Sequence, residues 1–195
     1  METTAVKTRL GVAALRDLVP SDIDAVLHYW YTSGDDYLDA LGIDRSRLGS
    51  TDQTRQRFLR AIRSSDPNQQ SLAFAITLNR EFVGYTLLNR YAPADNYSHW
   101  HITNPRLRAT GLSTALYPHR IQMYFDSVRM ERLTHQTRTT NIGVNRMLDR
   151  YVPVAETHYV DDPDGVALPG TFHLRYVYRK DLPRLFDKAA TLLVH

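Results

Sequence analysis

The sequence predicts a mixed α/β fold, a central sheet with helices on both faces, and three observations lead there. After an opening strand, apolar residues recur at helical spacing up to about residue 62, then form strand-like runs from 71 to 103. Beyond residue 103 the chain alternates loop, helix and strand, the order that lays helices against a sheet. No repeat, low-complexity segment or Pro/Gly/Ser-rich linker divides it, so 1–195 reads as a single domain. Its core is expected over about 10–180, with a tail over 181–195.

Each element has a local reason. "VAALRDL" (Val12–Leu18) reads as a short strand. Pro20 and Ser21 start a helix, with Ser21 as N-cap and Asp22 and Asp24 in the first turn, where the helix dipole favours acids. Ile23, Val26, Leu27 and Trp30 form its apolar face, and "YLDALGI" is a short helix closed by Gly42. "TDQTRQRFLRAIRSS" is a third helix, with Phe58, Leu59 and Ile62 on one side. "SLAFAITL" and "FVGYTLLNRY" are strands joined by "NRE" as a hairpin. "YSHWHIT", "ERLTHQT" and "FHLRYVYR" are later strands, with helices at about Leu112–Val128 and Asn141–Arg150 between them.

Composition narrows the function. Hydrophobic residues at 43% and charged residues at 23% are globular values, and a domain of this length buries about 70% of its unfolded surface. There are no cysteines, which excludes disulfides, thiolate zinc sites and a cysteinyl acyl-enzyme. A net charge of +3 suits anionic ligands but does not predict nucleic-acid binding. "METTAVKTRL" lacks the apolar core of a signal peptide, and no apolar run approaches about 18 residues. A cytoplasmic protein with no membrane partner is the expectation.

The stretch "HWHITNPRLRATGLS" (His99–Ser113) carries the chemistry. A strand entering a Gly-containing turn and then a helix makes an anion site, because free N–H groups and the dipole meet at the helix start. Arg106 and Arg108 add donors suited to phosphate, and Gly111 lets backbone approach a ligand. Strand alternation puts Tyr97, His99 and His101 on one face, Trp100 and Ile102 on the other.

Arg108-Ala-Thr-Gly111-Leu-Ser113 resembles the acyl-CoA loop of the GNAT (N-acetyltransferase) superfamily, Gln/Arg-x-x-Gly-x-Gly/Ala, and "NPRLRATG" resembles its approach. About 30 residues on, "TRTTNIGVNRMLDRYVP" is similar to the superfamily's strand-to-helix segment, in the form typical of the branch acetylating ribosomal-protein N-termini. The sequence departs from that pattern at Ser113, at Pro118 inside the helix, and at "YVP" in place of Gly-Phe.

The resemblance implies a GNAT-like fold in which acyl-CoA threads between two splayed parallel strands, "SHWHIT" and "RLTHQ". Pantetheine would pair with the backbone of Trp100, His101, Ile102 and Thr103. The pyrophosphate would sit on the loop of Arg108, Ala109, Thr110, Gly111, Leu112 and Ser113, near Arg106, with Asn141 beside the pantetheine arm. Tyr97 and His99 fall where serotonin N-acetyltransferase carries its paired catalytic histidines, so His99 is the candidate base, with Tyr97 beside it. The superfamily's tyrosine acid is replaced by Leu148, leaving Tyr151 and Tyr117 as its nearest stand-ins. Tyr29, Trp30, Tyr31 and Tyr37, with His173, Arg175, Tyr176 and Tyr178, would line the acceptor pocket.

The expected activity is therefore acyl transfer from an acyl-CoA, acetyl-CoA first, directly to an amine of a small molecule or peptide. The alternatives are an acyl-CoA-binding sensor with a decayed site, or an O-acyltransferase on the same fold. Zinc held by His99 and His101 with His119 or His135 lacks a carboxylate or thiolate at familiar spacing, so no metal is expected. The sequence leaves a homodimer open.

Overall fold

The computed structural model describes residues 4–64, 66, 69–92 and 95–193. Eight strands form one sheet: β1 (Thr4–Thr8), β2 (Gly11–Asp17), β3 (Ser71–Leu78), β4 (Glu81–Ala92), β5 (Asp95–Ile102), β6 (Arg132–Arg138), β7 (Glu156–Val160) and β8 (Gly170–Tyr178). Their order across the sheet is β1-β2-β3-β4-β5-β6-β8-β7, and the β5–β6 pair is parallel where the others are antiparallel. The helices are α1 (Ile23–Thr32), α2 (Asp35–Leu41), α3 (Thr51–Ala61), α4 (Leu112–Ser127), α5 (Ile142–Asp149) and α6 (Leu182–Leu193).

Two apolar layers sandwich the sheet. Leu116, Ile121, Phe125, Leu148 and Leu185 bring α4, α5 and α6 onto one face. Val26, Leu27, Leu38 and Phe58 bring α1, α2 and α3 onto the other. Helices thus cover both faces, as the changing period requires.

The structure corrects several local expectations. Ser21 does not cap α1: residues 20–22 form a 3-10 turn, and the buried Asp22 carboxylate takes Arg16 at 2.6 and 2.7 Å and the Val19 N–H at 3.0 Å. Ser50 caps α3 instead, in a reciprocal pair with Gln53. Leu59 is 36% exposed, so it does not share the buried face of Phe58. The tail is not loose chain: residues 182–193 form α6, whose Leu185 and Ala189 are buried, while Val194 and His195 lie outside the described residues. Strands β1 and β7 are additions.

Two devices fix β5 and β6. Gly84 of β4 lies so close to β5 that a Cβ there would overlap the His101 carbonyl oxygen. Arg175 of β8, 1% exposed, reaches Asn145 at 2.9 Å and Asp149 at 2.6 Å on α5. Asn145 in turn binds Thr137 at 2.7 Å and the Arg138 carbonyl at 2.8 Å, locking α5 onto the end of β6.

Candidate active site

The parallel pair β5–β6 is joined at a single registered position, Tyr97 with Thr134. Beyond it residues 98–102 and 135–138 run on without a shared ladder, so backbone groups of two adjacent strands face a gap. Side chains floor this parting on the α4 side. Trp100 and His135 meet edge to face at 6.0 Å, and the Tyr117 hydroxyl is 2.9 Å from His135 Nε2.

At the open end of β5 comes the loop. The Asn104 side chain accepts the Arg106 N–H at 3.1 Å and starts a 3-10 turn over residues 105–107. Ala109 (φ 59) and Gly111 (φ 89) then take left-handed conformations, and the Thr110 hydroxyl donates to the Leu107 carbonyl at 2.8 Å. Arg9, from the β1–β2 hairpin, holds the Thr110 carbonyl at 2.8 Å. Among the described residues, no acceptor takes the backbone N–H groups of Ala109, Thr110, Gly111, Leu112, Ser113 or Thr114. The Leu112 side chain is buried and anchors the helix start, and a Cβ on Gly111 would meet nothing within 4 Å. Unfilled donors, a helix dipole and open space coincide there, which is the physical requirement for holding an anion.

The two loop arginines behave differently. Arg106 is exposed and at the mouth of the loop. Arg108 turns back: its Nε donates to the Ile102 carbonyl at 3.2 Å and its guanidinium lies 3.8 Å over the Tyr37 ring. The expectation that its side chain faces a phosphate is corrected on this point; it forms a wall between loop and α2.

On the face away from α4, Tyr97, His99 and His101 are presented as strand alternation requires. His101 Nδ1 is 3.0 Å from the Tyr29 hydroxyl, which is 3.1 Å from that of Tyr37. His101 therefore belongs to this aromatic wall through its side chain, and its carbonyl lies against Gly84 of β4; Thr103 gives its N–H to the Val83 carbonyl at 2.9 Å. The expectation that both offer backbone to the parting is corrected: by strand alternation that backbone belongs to Trp100 and Ile102. No group among the described residues hydrogen-bonds the His99 ring. Burial, then the charge of Arg120, lowers His99 to about 4; burial, then His99 and Arg108, lowers His101 to about 3. Both rings are neutral at pH 7. Tyr176 joins this face near Tyr97, its hydroxyl donating to Glu156 at 2.8 Å beneath Arg132.

Of the expected pocket residues, Tyr31, His173, Arg175 and Tyr178 are not brought to this site, and Trp30 stands behind its aromatic wall. Trp30 is 6% exposed and donates to the Tyr85 hydroxyl at 2.8 Å, so it backs the wall, its ring 4.9 Å from that of His101, without lining open space. Tyr31 is drawn to the Gly49 carbonyl and Thr54 at the start of α3. His173 pairs in register with Thr137 and Thr157, on the face that carries Arg175 and α5, and bonds Thr157 at 2.8 Å. Arg175 is likewise spent on α5, whereas Tyr178 is exposed beside Lys180. Asn141 caps α5 by accepting the Val144 N–H at 3.3 Å, at the far lip of the parting.

The histidines do not converge: His135 is on the opposite face from His99 and His101, and His119 packs on Phe186 of α6. Among the described residues no group of three or more His, Cys, Asp or Glu could hold a metal ion, and no helix is long and apolar enough to cross a membrane. Of the stand-ins for the tyrosine acid, Tyr151 stacks on Tyr117 at 4.5 Å and its hydroxyl donates to the Thr114 carbonyl. The residue that sequence reasoning undervalued is Arg120, buried against Trp100 at 3.9 Å; the arginine was visible, its inward direction was not.

The fold has counterparts among solved structures. No protein-family model matches the chain, and no curated protein does. RimJ of Mycobacterium smegmatis, solved with a CoA-disulfide, superposes with a TM-score of 0.74 at 18% identity, covering 98% of this chain and 94% of that one. An uncharacterized protein from Bacillus halodurans follows at a TM-score of 0.69 and 13% identity, covering 97% of each chain. A GNAT-family acetyltransferase from Bacillus anthracis gives 0.64 and 15%, covering 91% of this chain and 99% of its own. The fold is that of the GNAT acetyltransferases.

Proposed function

We propose that this protein transfers an acyl group from an acyl-CoA to an amine. The observation that carries the reading is the β5–β6 parting with six unfilled N–H groups at its mouth. A pyrophosphate on residues 109–114 leaves the pantetheine arm to lie along residues 100–102, where the backbone of Trp100 and Ile102, turned away from β4, can pair with its amides. Arg106 and the lip residue Asn141 flank that path, and Ser113 lines its inner side.

The acceptor approaches from the side of Tyr97, His99, Tyr29, Tyr37 and Tyr176. The amine nitrogen bonds to the thioester carbonyl carbon, the C–S bond breaks with its electron pair on sulfur, and the nitrogen gives up one proton. His99, neutral and unbonded, takes that proton directly or through water. With its basicity lowered by burial, it serves the strongly acidic nitrogen of the tetrahedral intermediate rather than a free ammonium, so the amine must arrive uncharged.

A second reading, an acyl-CoA-binding module without turnover, is favoured by one observation. Leu148 stands in the core where a tyrosine acid would be, and the Tyr151 hydroxyl is committed to Thr114. Calorimetric titration with acetyl-CoA and CoA, followed by thiol release with a panel of amines, separates the two. Binding with turnover supports the transferase; binding without turnover on every amine supports the module; absence of binding refutes both.

A further inference from the structure

Among the described residues no carboxylate pairs with the buried Arg120. The residue is 4% exposed, and its Nε and Nη2 have no hydrogen-bond partner. The guanidinium is clamped between the rings of Trp100, at 3.9 Å, and Tyr117, at 5.1 Å. The titratable groups around it are His99, His135, Tyr117 and Tyr124. Burial keeps both histidines unprotonated and both tyrosines protonated at neutral pH, so none supplies a negative charge. Isolated buried charges are strongly unfavourable unless paired.

Water does not answer this need. A cavity of about 10 Å³ beside the guanidinium, lined by Leu15, Ile76, Trp100, Ser113 and Leu116, holds about one molecule. One water completes a hydrogen bond but leaves the charge uncompensated. Arg120 packs on Trp100 and Tyr117, the side chains that, with His135, floor the β5–β6 parting. Ring stacking on a guanidinium leaves the donors along its edge free, and that edge fits a carboxylate.

We propose that the acyl group admitted to the parting ends in a carboxylate that pairs with Arg120. The donor is then the CoA thioester of a dicarboxylic acid rather than acetyl-CoA. This rests on the acyl-CoA reading above and adds the acyl class to it. The distal carboxylate is a spectator in the transfer: the C–N bond forms and the C–S bond breaks as before, and the product amide keeps the free acid. Its pairing places the carbonyl carbon at the inner end of the parting, near Tyr97 and Thr134.

The test compares succinyl-CoA, butyryl-CoA (the same chain length without charge) and acetyl-CoA by calorimetry on the full chain and on Arg120→Met. Succinyl-CoA is expected to bind the wild type about tenfold or more tighter than butyryl-CoA, the scale of one charged hydrogen-bonded pair. The ratio falls to about one in Arg120→Met, and Arg120→Lys keeps part of it. Arg120→Met should melt no lower than the wild type, because it deletes an unpaired charge at similar volume. If that variant fails to fold, Arg120 has a structural partner and the inference falls. Equal binding of the three thioesters, or a preference for acetyl-CoA, overturns the carboxylate pairing and leaves the acyltransferase reading standing. Failure of every thioester to bind overturns both.

Discussion

The Tyr151 hydroxyl donates to the Thr114 carbonyl at 2.7 Å, and this bond fills a vacancy that Pro118 creates. In an uninterrupted helix that carbonyl would accept the N–H of residue 118, which proline lacks. Helix α4 therefore continues from Leu112 to Ser127 because a side chain from beyond α5 replaces one of its backbone donors. Tyr151→Phe should cost about 1 kcal/mol, the scale of a buried carbonyl left unpaired. Pro118→Ala restores the backbone donor, so the double variant should lose much less than the two single losses summed. Strict additivity in urea denaturation would contradict the substitution of one donor for the other.

Gly111→Val separates folding from ligand binding. At φ 89 a branched side chain is strained, and a loss of about 1–2 kcal/mol is expected. Its Cβ meets no protein atom within 4 Å, so the fold should survive. The methyl groups would occupy the space before the free N–H groups, and CoA binding should be lost. A folded variant that binds CoA as the wild type does would dismiss the loop as the phosphate site.

The buried histidines make stability fall in acid. His99, His101 and His135 all have folded values below the ordinary 6.5, so the unfolded chain takes up protons first as pH falls. Stability is complete above about pH 6.5 and declines toward pH 4, by about 1.4 kcal/mol per pH unit for each fully shielded ring. Thermal melts between pH 7.5 and 4.5 read this directly, and His99→Gln should flatten part of the slope. A melting temperature independent of pH over that range would be incompatible with neutral buried rings.

Gly84→Ala tests the register of β5 at its open end. The added methyl overlaps the His101 carbonyl oxygen, a backbone atom that cannot rotate away. We expect a loss of about 1–3 kcal/mol from overpacking, and weaker CoA binding because residues 100–103 shift. Wild-type stability would mean that β4 and β5 are less closely apposed than described.

The sequence made the fold legible where local signals were strong. The loop could be read because glycine, arginines and a helix start lie within eight residues of each other. Strand β7 carries no such signal, because "ETHYV" is exposed along most of its length and shows no alternation. Tertiary partners decided the rest. Arg108 reads as a phosphate ligand until Tyr37, from a helix far back in the chain, claims its guanidinium. Trp30 reads as a pocket wall until Tyr85 accepts its indole N–H. Arg120 belongs by sequence to the cations grouped around the loop with Arg106 and Arg108, and only Trp100 and Tyr117, packed on its guanidinium, turn it inward.

The single rung between β5 and β6 falls where the chain itself divides. Strands β1–β5 come from residues 4–102 and strands β6–β8 from residues 132–178, so the seam in the sheet is also a seam in the polypeptide. Exposed Arg129, in the turn between α4 and β6, marks where a cut would yield two fragments. Each fragment would keep its own antiparallel ladders, and reunion would rely on the packing of α4 with α6 and on the Tyr117–His135 and Tyr151–Thr114 hydrogen bonds rather than on strand pairing. A sheet sewn this loosely along the β5–β6 parting is a natural candidate for split-reporter complementation gated by what fills the seam.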